Sequence, residues 1–510
     1  MLLIFPPLAK PCEPPAGIAR LAGAVQTAGK HCTIVDANIE GISFLLTRDH
    51  NPEDTWSRRA VRGLEQNLCN LRDPELYSNI SRYQRAVADI NRVLEQVGKT
   101  HGITLNLANY QDPKLSPLNS DDLLQAAATP ENNIFYPWFR HRLEQLIADN
   151  NPTLIGFSLN FLSQALTCFA MIGFVKKHMP DLPIVAGGGL ITSWMRNPGW
   201  NNPLAGLIDH LIAGPGEEQL VTLLDLQGTA DYLPDYQRLA QHNYMAPGFI
   251  LPYAASSGCY WNKCSFCPET AEGNPYTVLP PEQVLEDLAQ LKVQTSPALI
   301  HFLDNALSPK LMTALAEQPP GAPWYGFARA CRQLADPAFC KRLKKSGCVM
   351  LKLGLESGDQ NVLDAMDKGI DLSLVSGVLG ALRQAGIATY VYLLFGTPTE
   401  SLTEARKTLS FIADHHEAVT FLNLAIFNMP VCSSEAGQLA IHDFYEGDLS
   451  LYSDFIHPRG WDRKQIRIFL DREFKRHPAI TPIIHRDPPI FTSNHAPFFA
   501  EKDTTTGILL

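Results

Sequence analysis

Three of the 11 cysteines of this 510-residue chain fall in one run, Cys259-Tyr-Trp-Asn-Lys-Cys264-Ser-Phe-Cys267. An apolar stretch at 249–253 with the composition of a strand comes just before it. Three thiolates offered by one loop suit a soft metal centre. An iron–sulfur cubane held wholly by protein takes four cysteines, so three leave one iron open to a substrate. The other cysteines, Cys12, Cys32, Cys69, Cys168, Cys331, Cys340, Cys348 and Cys432, are scattered. That pattern reads as reduced core thiols rather than a disulfide framework. A structural zinc knot competes for the triplet and would need a distant fourth ligand such as His301. A non-catalytic iron–sulfur carrier or sensor would normally use four protein ligands.

The length predicts two or more domains. Hydrophobic residues make up 45% and charged residues 18%, the balance of a globular protein. No apolar run reaches the roughly 18–20 residues of a membrane span. The start, Met1-Leu-Leu-Ile-Phe-Pro6-Pro7, lacks the basic region of a secretory leader, which predicts a cytoplasmic protein. A formal net charge of −10 without a long basic run argues against broad nucleic-acid binding.

The first 230 or so residues alternate between strand-like and helix-like runs. Strands are predicted at 2–5, 32–35, 154–159, 183–186 and 207–212, with helices at 17–28 and 164–178. Such alternation implies an α/β fold with a mostly parallel, doubly wound sheet. The charged stretch at about 41–133 shows helical fragments and no clear strand, and is read as a helical insertion. Ligands of doubly wound sheets sit beyond the carboxyl ends of the strands. The turns there hold Pro6 and Pro7; Ser158 and Asn160; Gly187, Gly188 and Gly189; and Gly214, Gly216 and Glu217. Each alone is an ordinary strand-to-helix turn; together they suggest one ligand rim. No Gly-x-Gly-x-x-Gly follows the first strand, so a dinucleotide is not favoured.

From 249 to 430 six strand–helix pairs follow, with strands at 249–253, 298–303, 324–328, 349–355, 388–395 and 419–427. Ser308-Pro309 and Asp336-Pro337 read as helix starts, and Gly347 and Gly386 as helix stops. Six units suggest a partial (β/α)6 barrel, with its chemistry at the carboxyl ends of the strands. The cysteine loop, Asp304-Asn305, Arg329, Glu356-Ser357-Gly358, Gly396-Thr-Pro-Thr-Glu400 and Asn428 occupy those ends in turn. Glu356 reads equally as a capping or ion-paired residue, and Arg329 as a bridge between barrel carboxylates.

At this point the chain resembles a radical S-adenosylmethionine (SAM) enzyme of the subfamily with a cobalamin (B12)-binding domain. The likeness rests on the cysteine loop with Phe266 before its last cysteine, on the run from Leu353-Gly-Leu-Glu356-Ser357 to Lys368-Gly369, and on Leu394-Phe-Gly396-Thr-Pro398-Thr-Glu400. The rim turns of the first domain resemble those of the subfamily's cobalamin domain. The resemblance implies three parts: a Rossmann-like cobalamin-binding domain over 1–230, a radical SAM partial barrel over 245–430, and an extension over 431–510 that caps the barrel. It implies a [4Fe–4S] cluster on Cys259, Cys264 and Cys267, and SAM chelated on the fourth iron. It further implies reductive cleavage of SAM to a 5′-deoxyadenosyl radical. Backbone near Phe266 would touch adenine, Glu356 and Ser357 the ribose side, and Arg329 the carboxylate, with Asp304 and Gly396 completing the SAM site. Cobalamin between the domains would hold to Pro7, Ser158, Asn160, Gly187, Gly188, Gly189, Gly214, Gly216 and Glu217. The implied activity is cobalamin-dependent methylation of an unactivated carbon, with a flavodoxin or ferredoxin as electron donor. The alternatives are a non-methylating radical rearrangement or oxidation, or a non-catalytic metal- or SAM-binding protein. The substrate, a small molecule, lipid or peptide, is not named by the sequence.

The chain departs from the family pattern in three ways. Four residues rather than three separate Cys259 from Cys264, an insertion that a loop absorbs at small entropic cost. The Asp-x-His-x-x-Gly lower-ligand motif of many cobalamin proteins is absent. The insertion at 41–133 and the tail after 430 lie outside the pattern. In that tail Trp461, a charged helical run at 463–476 and an Asn494-His495 pair stand out. The pair reads either as a cap that meets substrate at the barrel mouth or as part of an ordered strap with a satisfied histidine.

Overall fold

The computed structural model describes residues 1–48, 52, 54–227, 231–444, 447–489 and 495–500. The chain divides into two compact units. The first comprises Met1–Leu76, Ser81–Ala246 and Asp443–Tyr452; the second comprises Tyr77–Ile80, Pro247–His442 and the residues after 452.

The first unit is built on five parallel strands, Leu2–Phe5, Thr33–Asp36, Ile155–Ser158, Ile184–Gly187 and His210–Leu211. The first three are buried at every residue. Helices on both faces of a parallel sheet select such continuous apolar runs. The strand order is second, first, third, fourth, fifth, a Rossmann-like doubly wound arrangement. The order reverses beside the first strand, so the switch point lies between the ends of Leu2–Phe5 and Ile155–Ser158. The inserted region is mainly helical, with its longest helix at Ile80–Thr100. It also contains an antiparallel hairpin, Thr104–Asn106 with Asn109–Gln111, which corrects the expectation of no strand there. The hairpin escapes pattern reading because each arm has three residues and only Leu105 and Tyr110 are buried.

The second unit carries six strands, Ile250–Tyr253, Leu299–Phe302, Trp324–Ala328, Cys348–Glu356, Ala388–Phe395 and Phe421–Ile426. Each pairs in parallel with the next in chain order, which makes a partial (β/α)6 barrel. Ser308 and Asp336 cap their helices by accepting from Leu311 N and Ala338 N. Gly386 closes the Leu372–Ala385 helix in the left-handed conformation. Lys352 on the fourth strand is buried, with Nζ 3.0 Å from His301 Nε2 and 4.4 Å from the Phe327 ring centre.

The tail splits between the two ends of the barrel strands. The expected helical run is an α-helix, Arg463–Phe469, followed by a π-helical turn, Leu470–Phe474, and this part lies by the carboxyl ends of the fifth and sixth strands. His495 lies instead beside Tyr390 and Phe421, near the amino ends of those strands. It is fully buried and 2.8 Å from Asp487. Of the two readings of His495, its contacts fit the ordered strap with a satisfied histidine and not the mouth cap; Asn494 lies outside the described residues. All 11 cysteines are free, and Cys12, Cys32, Cys168, Cys340 and Cys348 are buried. Among the described residues no helix is long and apolar enough to cross a membrane.

One buried carboxyl in the first unit makes stability depend on pH. Asp36 ends the second strand and caps the Ala37–Thr47 helix, accepting from Asn38 N and Ile39 N at 3.1 Å each and from the Tyr244 hydroxyl at 2.9 Å. Burial pushes its carboxyl up to about 7 against the opposing pull of these donors. Folding thus favours the protonated form. That contribution is fully present below about pH 4 and is lost as pH rises through about 7. Asp36→Asn keeps a cap oxygen without the charge. Its melting temperature relative to wild type is expected to rise between about pH 5 and about pH 8; a difference that stays constant across that range contradicts this account.

Candidate active site

The cysteine loop leaves the first barrel strand and is fastened at both ends. At its start, Asp304 accepts from Ser256 Oγ at 2.5 Å and from Ala255 N at 3.1 Å, and Asn305 Nδ2 donates to Gly258 O at 3.1 Å. Asp304 is almost fully buried, and burial pushes its carboxyl up against these donors. Both its oxygens are engaged with the loop, so its observed part is to anchor the cysteines.

The far side of the loop is held by the segment that ends the short helix Gln360–Ala365. Carbonyls just past a helix end have no partner within the helix and must find one elsewhere. Here Met366 O accepts from Ser265 N at 3.1 Å, Asp367 O from Trp261 Nε1 at 2.9 Å, and Lys368 O from Arg329 Nη2 at 2.6 Å. The Arg329 guanidinium also lies 4.2 Å from the Trp261 ring centre, within cation–π range. The extra residue of the loop is absorbed locally: Asn262 takes a left-handed conformation, and Trp261 packs on Gly369. Gly369 itself has φ +63, and any Cβ there would overlap the indole.

Glu356 sits at the tip of the fourth strand, where the register with the fifth strand shifts. Its φ of +69 is unusual for a residue with a side chain, and such strain concentrates at functional sites. Lys368 Nζ holds it through an ion pair of 2.8 Å, with only 8% and 12% of the two side chains exposed. Gly354 makes room for the pair, since a Cβ there would stand 2.5 Å from Glu356 Oε1 and 2.8 Å from Lys368 Nζ. The ammonium also lies 5.4 Å from the Phe266 ring centre.

The three thiols form a connected group. Burial pushes the Cys264 thiol up, the Lys368 ammonium and Arg329 guanidinium pull it down, and Glu356 and Cys259 push it up again. Burial likewise raises the Cys267 thiol, opposed by amides of Thr270 and Glu269 at the start of the following helix. Two cations and helix-start amides facing these thiols suit an anionic cluster held by three thiolates. Among the described residues no three His, Cys, Asp or Glu side chains are gathered closely enough for a single metal ion. His301, the candidate fourth ligand of a zinc site, is instead bonded to Lys352 and stacked on Tyr325.

The remaining site residues divide between the two units. Ser357 is fully buried, donates towards Thr408 or accepts from it at 3.3 Å, and accepts from Asp359 N at 3.1 Å. Its hydroxyl is thus turned into the packing of the Leu402–Asp414 helix. Gly396 ends the fifth strand with φ +87. In the first unit Pro6 O accepts from Gln164 Nε2 at 2.7 Å, while Gln164 Oε1 accepts from Asn160 N and Phe161 N at 3.0 and 3.1 Å. Asn160 in turn donates to Ser158 Oγ at 3.0 Å and accepts from Gly189 N at 2.9 Å. Gly214 N donates to Thr192 Oγ1, whose hydroxyl donates to Gly188 O, both at 2.9 Å. Glu217 pairs with Arg20 at 2.8 Å. The rim turns are therefore stitched to one another across the switch point. Sequence reasoning missed both Lys368 and Gln164 as site residues. The signal for Gln164 was a lone amide at the start of an otherwise apolar helix.

Residues 253–412 match the family model of the Radical SAM superfamily. Among curated relatives, the hopanoid C-3 methylase of Methylococcus capsulatus is 24% identical over 282 residues, covering 48% of this chain and 53% of that protein. The bacteriochlorophyllide d C-12(1)-methyltransferase of Chlorobaculum tepidum is 27% identical over 171 residues, covering 32% and 37%. The chain thus spans about half, or less, of the length of these relatives. Among solved structures, the cobalamin-dependent SAM radical enzyme OxsB with aqua-cobalamin bound aligns with a TM-score of 0.50 at 14% identity, covering 65% of this chain and 60% of that one. At that identity the likeness shows the fold.

Close packing at Gly369 gives a direct test of the loop's anchorage. Gly369→Ala adds a Cβ into the Trp261 indole, at a cost of about 1–3 kcal/mol for overpacking. Iron uptake on anaerobic reconstitution is expected to fall, and a second change, Trp261→Ala, to restore part of it. Full iron uptake by Gly369→Ala would show that the loop does not depend on this contact.

Proposed function

We propose that residues 253–412, which match the Radical SAM superfamily, form a radical SAM domain, and that the chain is a cobalamin-dependent radical SAM methyltransferase acting on an unactivated carbon. The observation that carries the reading is the three-thiol loop, with Arg329 and Lys368 near Cys264, beside the Glu356–Lys368 pair at the strand ends. Cys259, Cys264 and Cys267 would hold the [4Fe–4S] cluster, which supplies one-electron reductive cleavage of SAM bound at its fourth iron. Lys368 and Arg329 place two cations beside Cys264, where an anionic cluster and a substrate carboxylate both gain from them. Glu356, aimed by its bulge and held by Lys368, would accept from the amino or ribose donors of SAM. The loop around Phe266 would supply an apolar face for adenine.

Methyl transfer is supported by a second line. The first unit has the strand order and stitched rim of a doubly wound ligand-binding domain, and the relatives named above are methylases. Pro7, Ser158, Asn160, Gly187, Gly188, Gly189, Gly214, Gly216 and Glu217 would border the cobalamin. A flavodoxin- or ferredoxin-type donor would supply the electron. The second reading, a radical rearrangement or oxidation without methyl transfer, uses the same barrel and differs in needing no cobalamin.

Anaerobic reconstitution with iron and sulfide, followed by SAM and a one-electron reductant, tests the reading. Formation of 5′-deoxyadenosine is expected, with S-adenosylhomocysteine appearing only when cobalamin is added. A loaded protein that cleaves SAM equally with and without cobalamin, and forms no S-adenosylhomocysteine with candidate acceptors present, favours the second reading. Lys368→Met leaves a nearly buried carboxylate without its partner, a change that typically costs about 3–5 kcal/mol. SAM affinity is expected to drop at least tenfold with iron content unchanged, and the double variant Glu356→Gln/Lys368→Met to recover part of that loss. Equal SAM affinity in Lys368→Met would remove the pair from the site.

A further inference from the structure

The C-terminal segment at 457–466 meets the ends of the fifth and sixth barrel strands through a series of polar contacts. His457 Nδ1 accepts from Arg459 N at 3.2 Å and from Trp461 N at 3.3 Å. Its proton therefore sits on Nε2, which donates to Thr397 O at 2.9 Å. Burial holds this imidazole below its ordinary range, in keeping with a neutral ring. Arg459 Nη1 donates to Thr399 O at 2.6 Å and to Glu404 Oε2 at 3.1 Å. Arg463 Nη1 donates to Phe427 O at 3.1 Å and to Asn428 Oδ1 at 2.6 Å. Ile466 packs where a side chain on Gly396 would otherwise stand.

Glu400 is the joint of this arrangement. It is fully buried, and its Oε2 accepts from Gly396 N at 2.5 Å and from Trp461 Nε1 at 3.1 Å. One carboxylate oxygen thus ties the turn to the tail. Its other oxygen, Oε1, and the Thr397 hydroxyl are buried without a hydrogen-bond partner in the protein. Buried polar atoms of this kind are few in folded proteins, and each marks a place for a water or a ligand atom. Two of them in one five-residue turn single out that turn.

We propose that the 457–466 segment is a clamp that sets the shape of the 396–400 turn for SAM, with Glu400 as the positioning residue that joins the two. The inference rests on the reading that this turn borders the SAM site. It gives the tail a task that the cluster loop does not explain: the segment converts a glycine-led turn into a rigid wall. Burial pushes the Glu400 carboxyl up to about 7, so near neutrality a glutamine is a fair mimic of it.

The test uses the full chain and three variants, Trp461→Phe, Glu400→Ala and Glu400→Gln. Hydrogen exchange at the 396–400 amides is measured before cluster loading, and iron content and SAM Kd after it. Trp461→Phe and Glu400→Ala are expected to speed exchange at Gly396 and to raise the SAM Kd about tenfold with iron content unchanged. Glu400→Gln, which keeps an acceptor oxygen, is expected to stay near wild type. Unchanged exchange in Trp461→Phe and Glu400→Ala overturns the clamp, as does faster exchange with unaltered SAM affinity. A loaded wild-type protein that binds no SAM refutes the underlying reading instead, and the exchange data then decide whether the tail holds the turn at all.

Discussion

The barrel mouth depends on three consecutive carbonyls. Met366, Asp367 and Lys368 follow the short helix Gln360–Ala365, and their oxygens are taken up by Ser265, Trp261 and Arg329. Carbonyls of a segment just past a helix end have no partner in the helix and must find one elsewhere. In this chain the partners are the cysteine loop and the arginine at the end of the third strand. One backbone segment thereby sets the position of the thiols, of the guanidinium and, through the Lys368 side chain, of Glu356. Two of the three glycines in the fourth-strand motif follow from the same constraint. Gly354 leaves space for the ion pair, and Gly369 leaves space for the indole.

The first unit solves a similar problem differently. Its rim turns are not held by a helix end but by side-chain amides. Gln164 joins the turn after the first strand to the turn after the third, and Asn160 carries the connection to the fourth. Those turns flank the point where the strand order reverses, the place where doubly wound sheets take their ligands. Most of the polar side chains there are thus committed to shaping the rim. What the rim leaves for a ligand is backbone and glycine surface, which lets the chain approach a ligand closely.

Much of this architecture was legible in the sequence. The barrel strands were legible because parallel strands buried on both faces are nearly continuous apolar runs. Trp324–Ala328 and Ala388–Phe395 were read at their observed bounds, and the other four barrel strands within two residues. The helix starts at Ser308 and Asp336 were legible because proline follows a capping side chain. The hairpin at 104–111 was not, since three-residue polar arms carry no period. The inward turn of Ser357 was hidden for another reason: the bulge that aims Glu356 to one side sends its neighbour to the other, and no local pattern encodes that. His495 showed the same limit, because only the tertiary path of the tail brings it to Tyr390.

The account stands or falls on the open iron. Mössbauer spectroscopy of the reconstituted chain, recorded with and without SAM, tests it most directly. Three protein thiolates and an open site predict that one iron in four changes its spectrum on adding SAM while the other three do not. Four equivalent irons indifferent to SAM, or a protein that takes up zinc in place of iron, would contradict the claim that this loop builds a SAM-binding cluster.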